Sequence, residues 1–288
     1  MIVVTGGAGQ LASMLAAQGG DRVRVVGRPA FDFDRPDTIA AVLAGERPTL
    51  VVNAAAWTAV DGAEAEPDAA ARANRDGPAT LAALCADLGV PLIHLSTDYV
   101  FDGTKGAPYV ETDRTAPTGV YGQTKLEGEQ AVLAACPQAV VLRTSWVYAS
   151  VGKNFVRTML NAAQKTSTLR VVADQRGCPT SARDLADAVL TVAGRVQAGW
   201  EPALGGVFHA AGTGDTTWYG LAQAVFDAAL RHGRVRPTVE PITTADWPTP
   251  AHRPADSRLD CSKLARVYGV TLPPWQDAVQ RVVDELLA

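Results

Sequence analysis

Ile2-Val3-Val4-Thr5-Gly6-Gly7-Ala8-Gly9-Gln10-Leu11-Ala12 is the stretch on which the fold turns. A short, β-rich apolar run ends in a glycine cluster, and the Ala/Leu-rich stretch from Gln10 to Gln18 then reads as a helix. A strand that turns through glycines into a helix offers backbone N–H groups at a helix N-terminus, with no side chain in the path of a pyrophosphate. Gly6 permits the tight turn, Gly9 the close approach, and Ala12 the packing of helix on strand, while Gln10 and Leu11 open the helix. The spacing is Gly-x-x-Gly-x-x-Ala rather than the usual Gly-x-Gly-x-x-Gly.

The same alternation continues outward. Arg22 to Val26 reads as a second strand, and Asp34 is placed to cap a helix over 35–44, with Pro36 in its first turn and Gly45 beyond its end. Leu50-Val51-Val52 is a third strand, 79–88 a helix stopped by Gly89, 90–95 a fourth strand, and 140–142 a fifth. Strands apolar on both faces, alternating with helices, predict a parallel sheet covered on each side: a doubly wound α/β Rossmann sheet. After about residue 145 the pattern loosens. Strands are expected at 169–172 and 206–209, helices at 181–192 and 218–230, and Gly/Pro-rich loops at 197–206 and 241–254. A last helix follows Pro273-Pro274, with Val279, Val282, Val283 and Leu286 on one stripe. The expected organisation is a dinucleotide-binding domain over 1–195, with parts of 145–165 contributing to the cleft. A smaller, loop-rich C-terminal part over 196–288 is mainly substrate-binding and returns one strand near 206–210.

Composition bounds the function. The 288 residues are 47% apolar and 19% charged, which excludes a disordered or collagen-like chain. A net charge of −4 provides no basic field for nucleic acid or an anionic membrane. The four cysteines, Cys85, Cys136, Cys178 and Cys261, form no Cys-x-x-Cys pair, so no zinc or redox centre is expected. No basic segment precedes the first apolar run, and no apolar run approaches the ~18 residues of a membrane span. The chain reads as soluble and cytoplasmic, a monomer or homodimer.

Tyr121-Gly122-Gln123-Thr124-Lys125 places a phenol and an ammonium at i and i+4, on one face of a helix. A phenol of pKa near ~10 needs a neighbouring cation to serve as an acid–base at neutral pH, and Lys125 supplies one while also able to hold nicotinamide ribose hydroxyls. Ser96-Thr97-Asp98-Tyr99 follows the fourth strand at the carboxyl edge, where Thr97 can polarise a substrate carbonyl. At the end of the second strand stands Gly27-Arg28 in place of an acid, which favours a 2′-phosphate and hence NADPH, with NADH still usable; no carboxylate is expected to oppose Arg28. Asp32 and Phe33 are expected beside the adenine, and Ala54-Ala55-Ala56 with Thr58 along the cofactor.

These elements resemble the extended short-chain dehydrogenase/reductase superfamily. Asn53 to Asp61 (NAAAWTAVD), Ser96 to Gly103 (STDYVFDG), Tyr121 to Lys125 (YGQTK), Arg143 to Tyr148 (RTSWVY), Asn154-Phe155 and Arg253 to Leu259 (RPADSRL) are similar to the dTDP-4-dehydrorhamnose reductase family over nearly the whole chain. The resemblance implies NADPH-dependent reduction of a 4-keto nucleotide sugar, dTDP-4-dehydro-β-L-rhamnose. Tyr121 then acts as the acid, Thr97 as its partner on the ketone, and Lys125 lowers the phenol pKa. It further implies that Asp98 and Trp146 border the sugar and that Asn154, Arg253 and Ser257 lie towards the nucleotide diphosphate. Asp256 stands where relatives often carry Asn and would bring a negative charge near a dianionic ligand. Met14, Arg183 and Glu285 stand where some relatives use carboxylates to dimerise around a metal, so no such metal is expected. Three other readings compete. The first is a 4-ketoreductase of another nucleotide deoxysugar. A dehydratase or epimerase is the second, although the Glu that dehydratases place beside the catalytic Thr is replaced here by Tyr99. The third is a regulatory module like the methionine adenosyltransferase β-subunit.

Overall fold

The computed structural model describes all 288 residues. Its first half runs β1 (Ile2–Thr5), α1 (Gln10–Gly19), β2 (Val23–Val26), α2 (Pro36–Glu46), β3 (Leu50–Asn53), α3 (Val60–Ala65), α4 (Pro67–Ala71), α5 (Gly77–Asp87), β4 (Leu92–Thr97), α6 (Val120–Ala135) and β5 (Ala139–Thr144). The second half runs β6 (Val147–Tyr148), α7 (Phe155–Ala163), β7 (Thr168–Val172), β8 (Arg176–Gly177), β9 (Thr180–Ser181), α8 (Ala182–Ala198) and β10 (Gly206–His209). It closes with β11 (Thr216–Thr217), α9 (Trp218–Leu230), β12 (Thr238–Ile242), α10 (Ser262–Tyr268) and α11 (Trp275–Leu287).

Six strands form the expected parallel sheet, in the order β10-β5-β4-β3-β1-β2. Because β1 lies between β2 and β3, the chain leaves it in one direction and returns on the other side. The glycine turn therefore sits at the switch point where doubly wound sheets bind ligands. β4 outruns its neighbour: Asn53, the last residue of β3, pairs with His94, so Leu95, Ser96 and Thr97 extend beyond β3 to the rim. Side chains alternate across the sheet as a pleat requires. Ile2 and Val4 join a core made with α1, α8 and α10, and Val3 joins the opposite core with α2, α5 and α6.

A third core gathers Tyr148, Val156, Val171, Leu221, Val225, Phe226, Val279 and Val283 under α7, α9 and α11. A single boundary at 195 does not describe how these cores fill. α10, expected in the substrate part, packs Leu264 and Tyr268 against the sheet core, where the Tyr268 ring meets Phe208 edge-on at 5.1 Å. The strand expected at 169–172 pairs in parallel with β12 as a separate two-stranded unit instead of joining the main sheet. The smaller unit is thus assembled from several returns of the chain, each placed by where its apolar face can be buried.

Two local expectations are corrected. Asp34 does not cap α2: the cap position is Arg35, with no side-chain bond, while the Asp34 carboxylate accepts from Arg72 Nε at 2.9 Å. Gly45 lies inside α2, and the left-handed residue that ends it is Arg47, at φ 46°. No helix is long and apolar enough to cross a membrane.

Candidate active site

The turn after β1 is shaped by one close approach. Gly6 has φ +109°, and a Cβ there would stand 2.9 Å from the Ala54 carbonyl oxygen, so only glycine lets the ends of β1 and β3 converge. α1 begins at Gly9 with no side-chain cap and no acid in its first turn. The N–H groups of Gln10, Leu11 and Ala12 therefore stand at the positive end of a helix without a competing carboxylate. Leu11 contributes backbone only, since its side chain is in the core. This uncapped cradle fits the pyrophosphate of a dinucleotide.

The adjoining wall is held by a buried neutral network. Thr5 Oγ1 donates to Asn53 Oδ1 at 2.6 Å, Asn53 Nδ2 lies 2.9 Å from His94 Nδ1, and Ala55 N donates to Thr5 Oγ1 at 3.1 Å. Burial, with the Lys125 charge nearby, holds His94 well below its usual range. Ala55, between Ala54 and Ala56, is fixed in this way, whereas Thr58 is exposed. Asn74 clamps Trp57, accepting from its N–H at 2.8 Å and donating to its carbonyl at 3.2 Å.

Arg28 is not unopposed. Its guanidinium meets Asp32 at 3.2 Å and Asp34 at 3.6 Å, because the turn from Gly27 to Phe31 brings residues 28 and 32 together. Asp32 is accordingly an ion-pair partner, and Phe33 packs edge-on against Phe31 at 5.3 Å. With 69% of the Arg28 side chain exposed, the pair is weakly held and open to exchange.

α6 carries the phenol and ammonium, and three contacts fix it. Glu64 Oε1 accepts from Val120 N at 2.8 Å, taking the place of an N-cap that Gly119 lacks. Gly122 and Gly128 let the helix lie directly on the carbonyls of Tyr99 and Asn74, which a Cβ would strike. Tyr121 meets Tyr99 edge-on at 5.5 Å. Burial pushes the Tyr121 phenol up to about 12, with the Thr97 hydroxyl pulling the other way and the Asp98 carboxylate adding to the rise. Lys125 is 2% exposed, and its Nζ donates to the Leu95 carbonyl at 2.6 Å. Burial brings its ammonium down to about 8, with Glu129 opposing. The expected depression of the phenol by Lys125 is therefore absent, and Tyr121 is held as a neutral proton donor.

Thr97 ends β4 at the rim, but its one proton goes to Asp98 Oδ1 at 3.1 Å, and its oxygen accepts from Tyr99 N at 3.2 Å. Asp98 also accepts from Ser145 Oγ at 3.0 Å. Burial pushes its carboxyl up to about 6 despite hydrogen bonds from Ser257, Ser145 and Thr97. Asp98 thus ties the ends of β4 and β5 to the C-terminal segment that brings Ser257.

The residues expected on the substrate side all hold protein partners. Trp146 adopts φ 47°, an uncommon conformation for a bulky side chain, and stacks face to face on Trp218 at 3.6 Å. Asn154 caps α7 by accepting from Arg157 N at 3.1 Å, and its amide donates to the Ala149 carbonyl at 2.8 Å and to Gln10 Oε1 at 2.9 Å. Asn154 and the Gln10 side chain thus join α7 to the glycine turn. Arg253 forms a bidentate pair with Asp61, at 3.1 and 2.9 Å, and Ala251 N reaches the same carboxylate at 3.2 Å. Ser257 is buried beside Asp98 and the Arg176 carbonyl. The Asp256 charge is neutralised by a two-point bond from Arg258, at 2.8 and 2.6 Å. Arg183 and Glu285 pair with each other at 2.7 Å. Sequence reading missed Asn74, Glu64, Asp61, Tyr99 and Trp218; the Glu129 position had a signal, eight residues after Tyr121 on the same helical stripe.

Comparison with known proteins places the site in context. The family model described as RmlD substrate binding domain matches residues 1–288. A dTDP-4-dehydrorhamnose reductase of Sinorhizobium fredii is 48% identical over 99% of this chain and 97% of its own. A probable dTDP-4,6-dihydroxy-2-methyloxan-3-one 4-ketoreductase of Streptomyces antibioticus is 43% identical over 99% of this chain and 95% of its own. Among solved structures, the dTDP-4-dehydrorhamnose reductase of Bacillus anthracis in complex with NADP aligns with a TM-score of 0.90 at 30% identity, over 99% of this chain and 98% of that one.

Proposed function

The chain belongs to the dTDP-4-dehydrorhamnose reductase family, and from that premise we propose that it uses NADPH to reduce the 4-keto group of dTDP-4-dehydro-β-L-rhamnose, giving dTDP-L-rhamnose. The observation that carries the residue assignment is a neutral, half-buried phenol, Tyr121, on the helix that carries buried Lys125, beside the rim of β4. NADPH, when bound, supplies the hydride that reaches C4 of the sugar.

The chain's residues do the rest. The Gly6–Gly9 turn and the N–H groups of Gln10 and Leu11 hold the pyrophosphate, Ala54 to Ala56 flank the cofactor, and Lys125 holds the nicotinamide ribose. Arg28 meets the 2′-phosphate by leaving Asp32. Tyr121 gives its proton to the C4 oxygen as charge develops there, a role typically worth about 10²–10⁴-fold. Thr97 donates to the same oxygen once its proton leaves Asp98. Trp146, supported on Trp218, borders the sugar, and Arg253 exchanges Asp61 for the diphosphate. All these groups come from one chain, so a monomer, or a homodimer with two independent sites, suffices. The reading places the reaction in the cytoplasm, where free thiols such as Cys85, Cys136 and Cys178 stay reduced.

The Streptomyces relative favours one second reading, reduction of a different 4-keto deoxysugar at the same site. Loss of NADPH absorbance on adding dTDP-4-dehydro-β-L-rhamnose tests the proposal. Protein purified with stoichiometric NAD⁺ and inert towards that mixture would instead point to a dehydratase or epimerase.

A further inference from the structure

Trp146 stands at the rim by register. Thr144, which ends β5, is the partner of Thr97, and Trp146 follows two residues later, beyond Ser145, whose hydroxyl meets Asp98. Its φ of 47° is a left-handed conformation that a bulky side chain keeps only where its surroundings hold it. Those surroundings come from a short antiparallel pair, β8 with β11, in which Gly177 faces Thr216 and Arg176 faces Thr217. A Cβ on Gly177 would lie 2.4 Å from Trp146 Cε2, so the strand leaves a slot for the indole. One step beyond the pair, Trp218 and Gln175 meet: the Trp218 indole N–H donates to Gln175 Oε1 at 3.1 Å. The Trp218 ring lies flat on Trp146, 3.6 Å between centroids and 6° from parallel, and Phe155 tilts against it at 4.7 Å. Gln175 is 4% exposed and donates from Nε2 to Thr244 Oγ1 at 3.0 Å, so the indole bond ends on a fixed acceptor.

We propose that Trp218 is a positioning residue for Trp146: clamped by Gln175 and Phe155, it fixes the indole that borders the sugar, and so sets recognition of the hexulose ring separately from the nucleotide. This rests on the place given to Trp146 above. Without the stack, the Trp146 indole turns about its own side-chain bonds, and a sugar has to order it on binding, at a cost in affinity. With the stack, that ordering is complete before the sugar arrives. The bond to Gln175 adds direction, because an aromatic face alone lets a ring slide, whereas a hydrogen bond at one corner sets its rotation. The nucleotide half is held elsewhere, through Arg253 and Asp61. Thr244, at the base of the loop that carries Arg253, is also held by the Asp174 carboxylate at 2.7 and 2.9 Å, so that loop does not depend on Gln175.

The test measures, by calorimetry, the binding of dTDP-L-rhamnose and of dTDP without sugar, alongside NADPH affinity and the KM and kcat for dTDP-4-dehydro-β-L-rhamnose. In Trp218→Ala, the Kd of dTDP-L-rhamnose and the KM of the ketosugar rise about tenfold, while dTDP and NADPH affinities stay within about twofold. Trp218→Phe keeps a ring on Trp146 and loses only the bond to Gln175, for a rise of about two- to fivefold that Gln175→Met matches. Gly177→Ala drives a methyl into the slot with Trp218 intact and reproduces the sugar-specific loss. A double-mutant cycle decides the route: acting through Trp146, Trp218→Ala adds nothing to the Kd of dTDP-L-rhamnose in a Trp146→Ala background. A purely structural role would weaken dTDP and dTDP-L-rhamnose alike, or add in full to Trp146→Ala, and either result would overturn the inference. A protein that shows the sugar-specific loss in Trp218→Ala, yet in native form leaves the ketosugar unreduced, would instead fail the functional reading.

Discussion

On the proposed cofactor side of the cleft, the groups offered to the pyrophosphate are backbone N–H groups at the start of α1, left without a cap or an acid. On the proposed substrate side they are side chains, each already holding a partner: Arg253 on Asp61, Trp146 on Trp218, Thr97 on Asp98. A helix end can present unpaired donors at the surface without penalty because water serves them until a ligand arrives. A half-buried guanidinium cannot be left unpaired so cheaply, and the fold supplies a carboxylate to hold it. The glycine-turn cradle is therefore ready as built, whereas Arg28, further along the same side, is already paired with Asp32. Binding on the substrate side exchanges one partner for another, which lowers net affinity but rejects ligands unable to replace what they displace.

The largest expected effect falls where the two sides meet. Tyr121→Phe lowers kcat by about 10²–10⁴-fold while NADPH binding stays within a few-fold, measured by turnover and by fluorescence titration. Equal loss of both would mean that the phenol is part of the cofactor wall and not the proton donor. Gly6→Ala breaks the prebuilt side. The new methyl meets the Ala54 carbonyl in a backbone conformation costing about 1–3 kcal/mol, so NADPH affinity falls by roughly 5- to 150-fold with the sugar nucleotide less affected. Arg253→Ala tests the exchange side. KM for the nucleotide sugar rises by about tenfold or more, for loss of a charged hydrogen bond worth about 1.5–3 kcal/mol, with kcat changed less. The smallest effect is at the exposed pair. Asp32→Asn frees Arg28 and raises preference for NADPH over NADH by no more than about fivefold, since such pairs are worth about 0–1 kcal/mol.

The same contrast explains what could be read in advance. The glycine turn, the strand alternation and the Tyr121–Lys125 spacing are local, and the structure places them as their spacing dictates. The partners of the substrate side are not local: Asp61 lies 192 residues from Arg253, and the acid capping α6 is Glu64, 56 residues away. Asp34 shows the limit most plainly. Its sequence position has the signature of a helix cap, yet Arg72 on a neighbouring helical segment offers a stronger partner. α10 shows a related limit, because it finds its apolar counterpart on the sheet and not in the segment beside it.

The central claim is a hydride delivered to C4 of the sugar and a proton from Tyr121 to its oxygen. NADPH carrying deuterium at its transferable position, mixed with dTDP-4-dehydro-β-L-rhamnose and the protein and followed by NMR, tests it directly. The expected product is dTDP-L-rhamnose with deuterium at C4, formed one-for-one with oxidised cofactor. Label in solvent or at another carbon, or an unchanged ketosugar, would contradict it.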